Sequence, residues 1–240
     1  MVALPHMALI KPAIAGILPK ILTVPAQVAT LMITLAVAAE TSAMMQVMMQ
    51  AVVVGSAVAV VTTVVVDGLA VGSRGEVRSV GVFSDKALGE CCGISLTKHS
   101  MTSVQLWKVV AAGVLGVKLE EREDGEARLL IGDEALGEWR RRKGSGVTDL
   151  GKVWWDWVGK PFVFGVWAVR NGFRPNAGEV EKFREECLAG IAKRGELAVN
   201  EEEKEYLTKC IRYELGVEEK EGIREFARRS GLGEVKLEYI

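Results

Sequence analysis

Ligands for a metal are scarce in this chain. Its 240 residues hold two histidines and four cysteines, with Cys91 beside Cys92 and with Cys187 and Cys210 standing alone. No C-x-x-C pair forms, and two imidazoles cannot complete a zinc site, so no metal centre is expected. The thiols read as reduced side chains of a cytoplasmic protein, Cys91 and Cys92 in an apolar run that suits a core. Net charge is scarce too, and a formal value of -1 offers nothing to a nucleic acid or an anionic membrane surface. One end is almost bare of charge: from Met1 to Ser73 only Lys11, Lys20, Glu40 and Asp67 carry any. That end also lacks a basic lead, a clean apolar block and a small-residue cleavage site. Pro5, His6, Lys11 and Pro12 interrupt it, which argues against a secretory leader.

The uncharged run between Glu40 and Asp67 exceeds the ~20 residues of a membrane-spanning helix. Gln46, Gln50, Thr62 and Thr63 break it, and Ala51 to Val66 is dense in valine. Valine loses rotamer freedom in a helix and packs well on a pleated sheet, so buried strands are predicted there and no membrane insertion. Upstream, Val24-Pro25 followed by Ala26 to Leu35 reads as the end of a strand and then a helix with proline in its first turn. A first segment so poor in charge calls for cover, which a second copy of the chain could supply.

What is present is organised around Leu150 to Arg170. Leu150, Val153, Trp154, Trp157 and Val158 recur at helical spacing, with Thr148 or Asp149 placed to cap the free amides. Gly159 should end that helix in the left-handed conformation, with Pro161 two residues on. Phe162 to Val169 is an unbroken apolar run, predicted as a strand covered on both faces, as in a parallel α/β sheet. Earlier, Asp67-Gly68, Gly72 and Gly75 predict tight turns and close approach of a ligand, ahead of a strand over Val77 to Phe83.

A short strand over Gly93 to Lys98 should lead to a helix carrying Val104, Trp107, Lys108 and Ala111. A polar connection from Glu120 to Arg128 then precedes a strand over Leu129 to Ile131. Asp133 is placed to cap a helix over Glu134 to Arg142, whose basic end complements the helix dipole. The C-terminal third reads as three charged amphipathic helices, with Asn176 and Asn200 as caps. Val180, Phe183, Cys187, Leu188 and Ile191 form one apolar face, and Tyr206, Leu207, Cys210 and Ile211 another.

Ser100, Thr102 and Ser103 stand at a strand-to-helix junction, where free amides and the helix dipole favour an anion. From the residues alone they are either a carboxylate site or simple caps. Ser79, alone in its strand, says nothing by itself.

Four segments in order, EVRSVGVFS, HSMTSVQL, LLIGDEAL and LGKVWWDWVGKPFVFGVWAVR, resemble the menaquinone-pathway family that contains chorismate dehydratase. The resemblance runs from about Gly68 to Arg170. It implies a two-lobed α/β fold of the periplasmic-binding-protein-like type II kind, with a ligand cleft between the lobes. Lobe 1 would be 1–75 plus 171–240 and lobe 2 would be 76–170, with the strand Val77 to Phe83 as one of two crossings.

It also implies a carbon–oxygen lyase that removes water from chorismate to give 3-[(1-carboxyvinyl)oxy]benzoate, with no metal or redox cofactor. By the same resemblance Ser79 is catalytic and faces the substrate, while Ser100, Thr102 and Ser103 bind it. The first lobe departs from the family. Leu9 stands where an asparagine enters the cleft, and Ala38 stands where an acidic residue is common. Two outcomes stay open: a diverged site that still dehydrates, or a binder of small carboxylates that has lost the chemistry.

Overall fold

The computed structural model describes residues 63–169, 174–232 and 235–240. The elements expected at 24–35, the valine-rich run up to residue 62, Leu9 and Ala38 lie outside the described residues. The described chain opens with β1, Thr63–Ser73. Of the glycines expected to turn the chain, Gly68 and Gly72 lie inside that strand, while Gly75, at φ 107, turns the chain just after it. Gly68, at φ 81, and shifts of register between Val65 and Ala70 and between Val71 and Gly72 are bulges, which bend a strand without ending it. At Gly72 a Cβ would stand 2.6 Å from the Phe162 carbonyl oxygen, so the close approach is made by a neighbouring strand.

β2 is Val80–Phe83, shorter than expected because 77–79 are taken up by a tight turn. β3 (Gly93–Ser95) leads to α1 (Met101–Val110), which runs into a π-helical turn over Ala111–Leu115. β4 (Glu120–Glu121) lies in the connection expected to be polar coil, and β5 is Ala127–Ile131. α2 (Gly132–Arg142) starts straight off β5. Ile131 holds the cap position without a side-chain bond, so Asp133 lies in the first turn and is not the cap.

β6 (Val147–Asp149) passes into α3 (Leu150–Val158), capped by Asp149, whose side chain accepts from the Lys152 N–H at 2.8 Å. Gly159 ends α3 at φ 69, as its sequence requires, and β7 follows at Phe162–Ala168. α4 (Ala177–Ala192) carries a full capping box between Asn176 and Glu179. Short helices α5 (Arg194–Leu197) and α6 (Glu201–Glu205) come next, and α6 continues as a π-helical turn over Tyr206–Cys210. The C-terminal third is not all helix: β8 (Arg212–Leu215) precedes α7 (Val217–Arg229), and β9 (Leu237–Tyr239) follows it.

The strands form two mixed sheets. In the first, β7 and β8 flank β1 antiparallel and β9 joins β1 parallel. In the second the order is β4-β3-β5-β2-β6, with β3 parallel to β4 and β5, and β2 antiparallel to β5 and β6. β7 is buried along its whole length, as its composition suggests, but its partner is antiparallel. The unbroken apolar pattern therefore marks burial of both faces and says nothing about strand direction. β2 sits inside the second sheet, so it is not itself a crossing. The chain passes between the sheets through 74–79 and returns through 159–161.

Edge-to-face aromatic contacts join the layers. Trp154 of α3 meets Phe162 of β7 at 5.4 Å and Phe226 of α7 at 5.8 Å, and the two phenyl rings meet at 4.9 Å. Such pairs contribute about 0.5–1.5 kcal/mol each beyond the area they bury. Among the described residues, the Ser73 hydroxyl and the indole N–H groups of Trp154 and Trp167 are buried without a hydrogen-bond partner. Cys91 is core, its thiol 3.1 Å from Ser84 Oγ, but Cys92 is exposed, against the expectation of two core thiols. Neighbouring side chains in an extended backbone point opposite ways. Among the described residues no helix is long and apolar enough to cross a membrane.

Candidate functional site

The passage from β1 to β2 is gripped along its length. Arg74 donates to Glu219 of α7 through Nε at 3.1 Å and Nη2 at 2.7 Å, and Glu219 is 2% exposed. Further on, the amides of Val77 and Arg78 donate to the Asp149 carboxylate at 3.0 and 2.6 Å. Ser79 N–H donates back to the Val77 carbonyl at 2.7 Å, with Arg78 between them at φ 60. This is a γ-turn with a positive central φ, the rare and strained form. The first turn of α3 lies directly against the passage. A Cβ on Gly151 would stand 2.7 Å from both the Gly75 carbonyl oxygen and the Ser73 hydroxyl, so only glycine fits.

Ser79 is fully buried and held at three points. Besides its N–H, its carbonyl accepts from Gly132 N–H at 2.7 Å and its hydroxyl accepts from the Tyr206 phenol at 2.9 Å. Burial pushes the Tyr206 phenol well above its ordinary pKa, so it stays a protonated donor. With Tyr206 giving its one proton to Ser79, the serine keeps its own to give to another acceptor.

At the start of α1, Ser100 is the cap. Its Oγ accepts from Ser103 N–H at 3.1 Å and donates to Ser103 Oγ at 2.9 Å. Ser100 and Ser103 are buried, and Thr102 is partly exposed. Capping accounts for Ser100, while Ser103 receives a proton and retains one to give. No hydrogen bond joins this pair to Ser79 among the described residues.

The register nevertheless sets both groups toward the same end of the sheet. β3 and β5 run parallel, and β2 runs against β5 with Val80 opposite Ile131. Hence Ser79, the start of α2 and the approach to α1 all lie toward the carboxyl ends of β3 and β5. That is where open α/β sheets hold ligands. A separate groove of about 330 Å³ lies between α1, α3 and α7, lined by Lys108, Gly113, Trp157 and Arg229 among others. It contains none of these hydroxyls. Its cations sit in the last turns of α1 and α7, where the helix dipole already favours them, and Arg229 stacks on Trp157 at 4.0 Å.

The sequence does not reveal Tyr206 or the second role of Asp149. Tyr206 stands out there only as part of an apolar face, although a buried phenol needs a partner. Asp149 is legible only as a cap. Burial pushes its carboxyl from 3.8 up to about 6, against the pull of its three backbone N–H donors. No three His, Cys, Asp or Glu side chains gather as a metal site among the described residues.

The class defined by these features is a mixed α/β protein with two mixed sheets and proton-bearing serines at helix and strand starts. The family described as menaquinone biosynthesis matches residues 28–231, and the chain belongs to it. It is also similar to a chorismate dehydratase of Thermus thermophilus, 31% identical over 195 residues that cover 68% of this chain and 72% of that one.

Proposed function

We propose that this protein is a carbon–oxygen lyase that removes water from chorismate and yields 3-[(1-carboxyvinyl)oxy]benzoate. Family membership and the likeness to a chorismate dehydratase support this. The observation that carries it to particular atoms is the Tyr206–Ser79 hydrogen bond, which leaves a buried serine with a proton to donate. The proposal includes two lobes with the substrate between them, 1–75 with 171–240 as one and 76–170 as the other, in a periplasmic-binding-protein-like arrangement. It also sets the protein in the cytoplasm.

The reaction needs modest help. Aromatisation of the ring drives it, the ring hydroxyl departs as water, and one ring proton is lost. A site must hold two carboxylates, assist the departing oxygen and offer a base. On this scheme Ser79 donates a hydrogen bond to the leaving hydroxyl or orients the reacting face, and the ring proton, taken by the substrate's own carboxylate, is passed to the departing hydroxyl so that it leaves as water. Ser103, Thr102 and the first-turn amides of α1 hold a carboxylate, with Ser100 fixing that turn. Ser79 and Ser103 are closed from solvent, so substrate entry requires the elements around them to part.

Mixing the protein with chorismate tests this. Loss of the conjugated-diene absorbance with appearance of an aromatic product is expected. Tight binding without conversion would instead identify a carboxylate binder that has lost the chemistry.

A further inference from the structure

Asp149 is more than a helix cap. A neutral serine, threonine or asparagine caps as well, and none brings a charge into a buried site. Here a carboxylate that is 6% exposed uses both oxygens: Oδ1 takes Lys152 N–H, Oδ2 takes Arg78 N–H, and the two share Val77 N–H at 3.2 and 3.0 Å. The last two belong to the turn that sets Ser79, and their central residue has the backbone conformation an arginine resists. A strained turn persists only where its surroundings over-determine it. The surroundings here are Asp149 on one side and the tight seat of Gly151 against Gly75 and Ser73 on the other.

We propose that Asp149 is a positioning residue for Ser79: its carboxylate locks the Val77–Ser79 turn and so aims the Ser79 hydroxyl at the reacting group. The proposal rests on the dehydratase reading for what Ser79 meets, but not for the lock itself. Asp149→Asn keeps an acceptor for Lys152 N–H, so α3 stays capped, yet it turns an NH2 toward the amides of the turn. Arg78→Gly removes the strain that the lock opposes, because glycine takes positive φ freely.

The full chain is assayed with chorismate as parent, Asp149→Asn, and Asp149→Asn with Arg78→Gly. Asp149→Asn is expected to fold and to lose kcat by about tenfold to a hundredfold, the effect of slight misplacement, with KM within about threefold. The double variant should regain part of that loss. A merely structural role would give no such rescue, and its absence overturns the proposal, as does a folded Asp149→Asn with parent kcat.

Amide exchange at Arg78 and Ser79, read by NMR without substrate, keeps the two ideas apart. If the parent is inert toward chorismate while those amides lose protection in Asp149→Asn, the dehydratase reading falls and the lock stands. Unchanged protection in a folded Asp149→Asn overturns the lock whatever the activity.

Discussion

The Tyr206 phenol donates to Ser79 Oγ at 2.9 Å, although 127 positions of sequence separate the two. It fixes the direction of the serine's proton, which neither residue could do alone.

Tyr206→Phe should therefore do more harm to turnover than to folding. Loss of one buried hydrogen bond costs about 1 kcal/mol of stability. Turnover of chorismate should fall by about tenfold or more because the Ser79 hydroxyl is free to rotate. A double-mutant cycle with Ser79→Ala checks the coupling. The effects must be far from additive, and additive losses would separate the two side chains in function.

Gly72 and Ser73 are neighbours with opposite expected responses. Gly72→Ala presses a methyl group into the Phe162 carbonyl and should destabilise by about 1–3 kcal/mol. Ser73→Ala removes a buried hydroxyl that has no partner among the described residues and should be neutral or mildly stabilising. Urea unfolding of both variants decides the matter. A strongly destabilised Ser73→Ala would mean that its hydroxyl has a partner after all.

Asp149 makes a pH prediction whose sign is unusual for a carboxylate. Its folded-state pKa is raised from 3.8 to about 6, so the folded state holds that proton more tightly than the unfolded chain does. Its contribution to stability is present in full below pH about 4 and is lost as pH rises through about 6. Relative to Asp149→Asn, the parent should lose about 3 kcal/mol across that window, measured by denaturant unfolding at each pH. A flat difference between the two curves would contradict this.

Glu138 and Glu225 behave the other way. Hydrogen bonds from Arg141 and Arg142 hold the Glu138 carboxyl down to about 2, and Arg228 and Arg229 hold Glu225 at about 2. Their stabilisation is present above pH about 4.5 and is lost as pH falls toward 2. Glu225→Gln should lower the stability curve above pH 5 and flatten its acid side, the two proteins converging as pH falls toward 2. Acid titration followed by circular dichroism reads both.

Local signals were legible wherever one residue type decides a conformation. Gly159 and Pro161 ended α3 and started β7 as their backbone chemistry requires, and Asn176 capped α4. β1 was legible only at its start, where Thr63 to Val66 belong to the valine-rich run expected as strand; beyond Asp67 it was not, because a glycine that makes a bulge and a glycine that makes a turn look alike until the partner strand is known. β8 alternates exposed and buried over only four residues, too few to outweigh the charged sequence around it. In the candidate site, the four segments that carry the family resemblance marked the serines by position. The contacts around Ser79 were hidden, since Asp149 reaches Val77 across 72 residues and Tyr206 reaches Ser79 across 127, and spacing reports nothing over such lengths.

β1 pairs with β7, β8 and β9, all of them far downstream, and Thr63 finds its partner only at Leu237. During synthesis this valine-bearing strand gains its first described partner only once β7, ending at Ala168, has emerged, and its other side waits for β8 and β9. Such long-range pairing slows folding toward milliseconds or seconds and leaves time for association with other nascent chains. Yield in cells should accordingly depend on temperature and on chaperone supply more than the stability of the finished sheet would suggest.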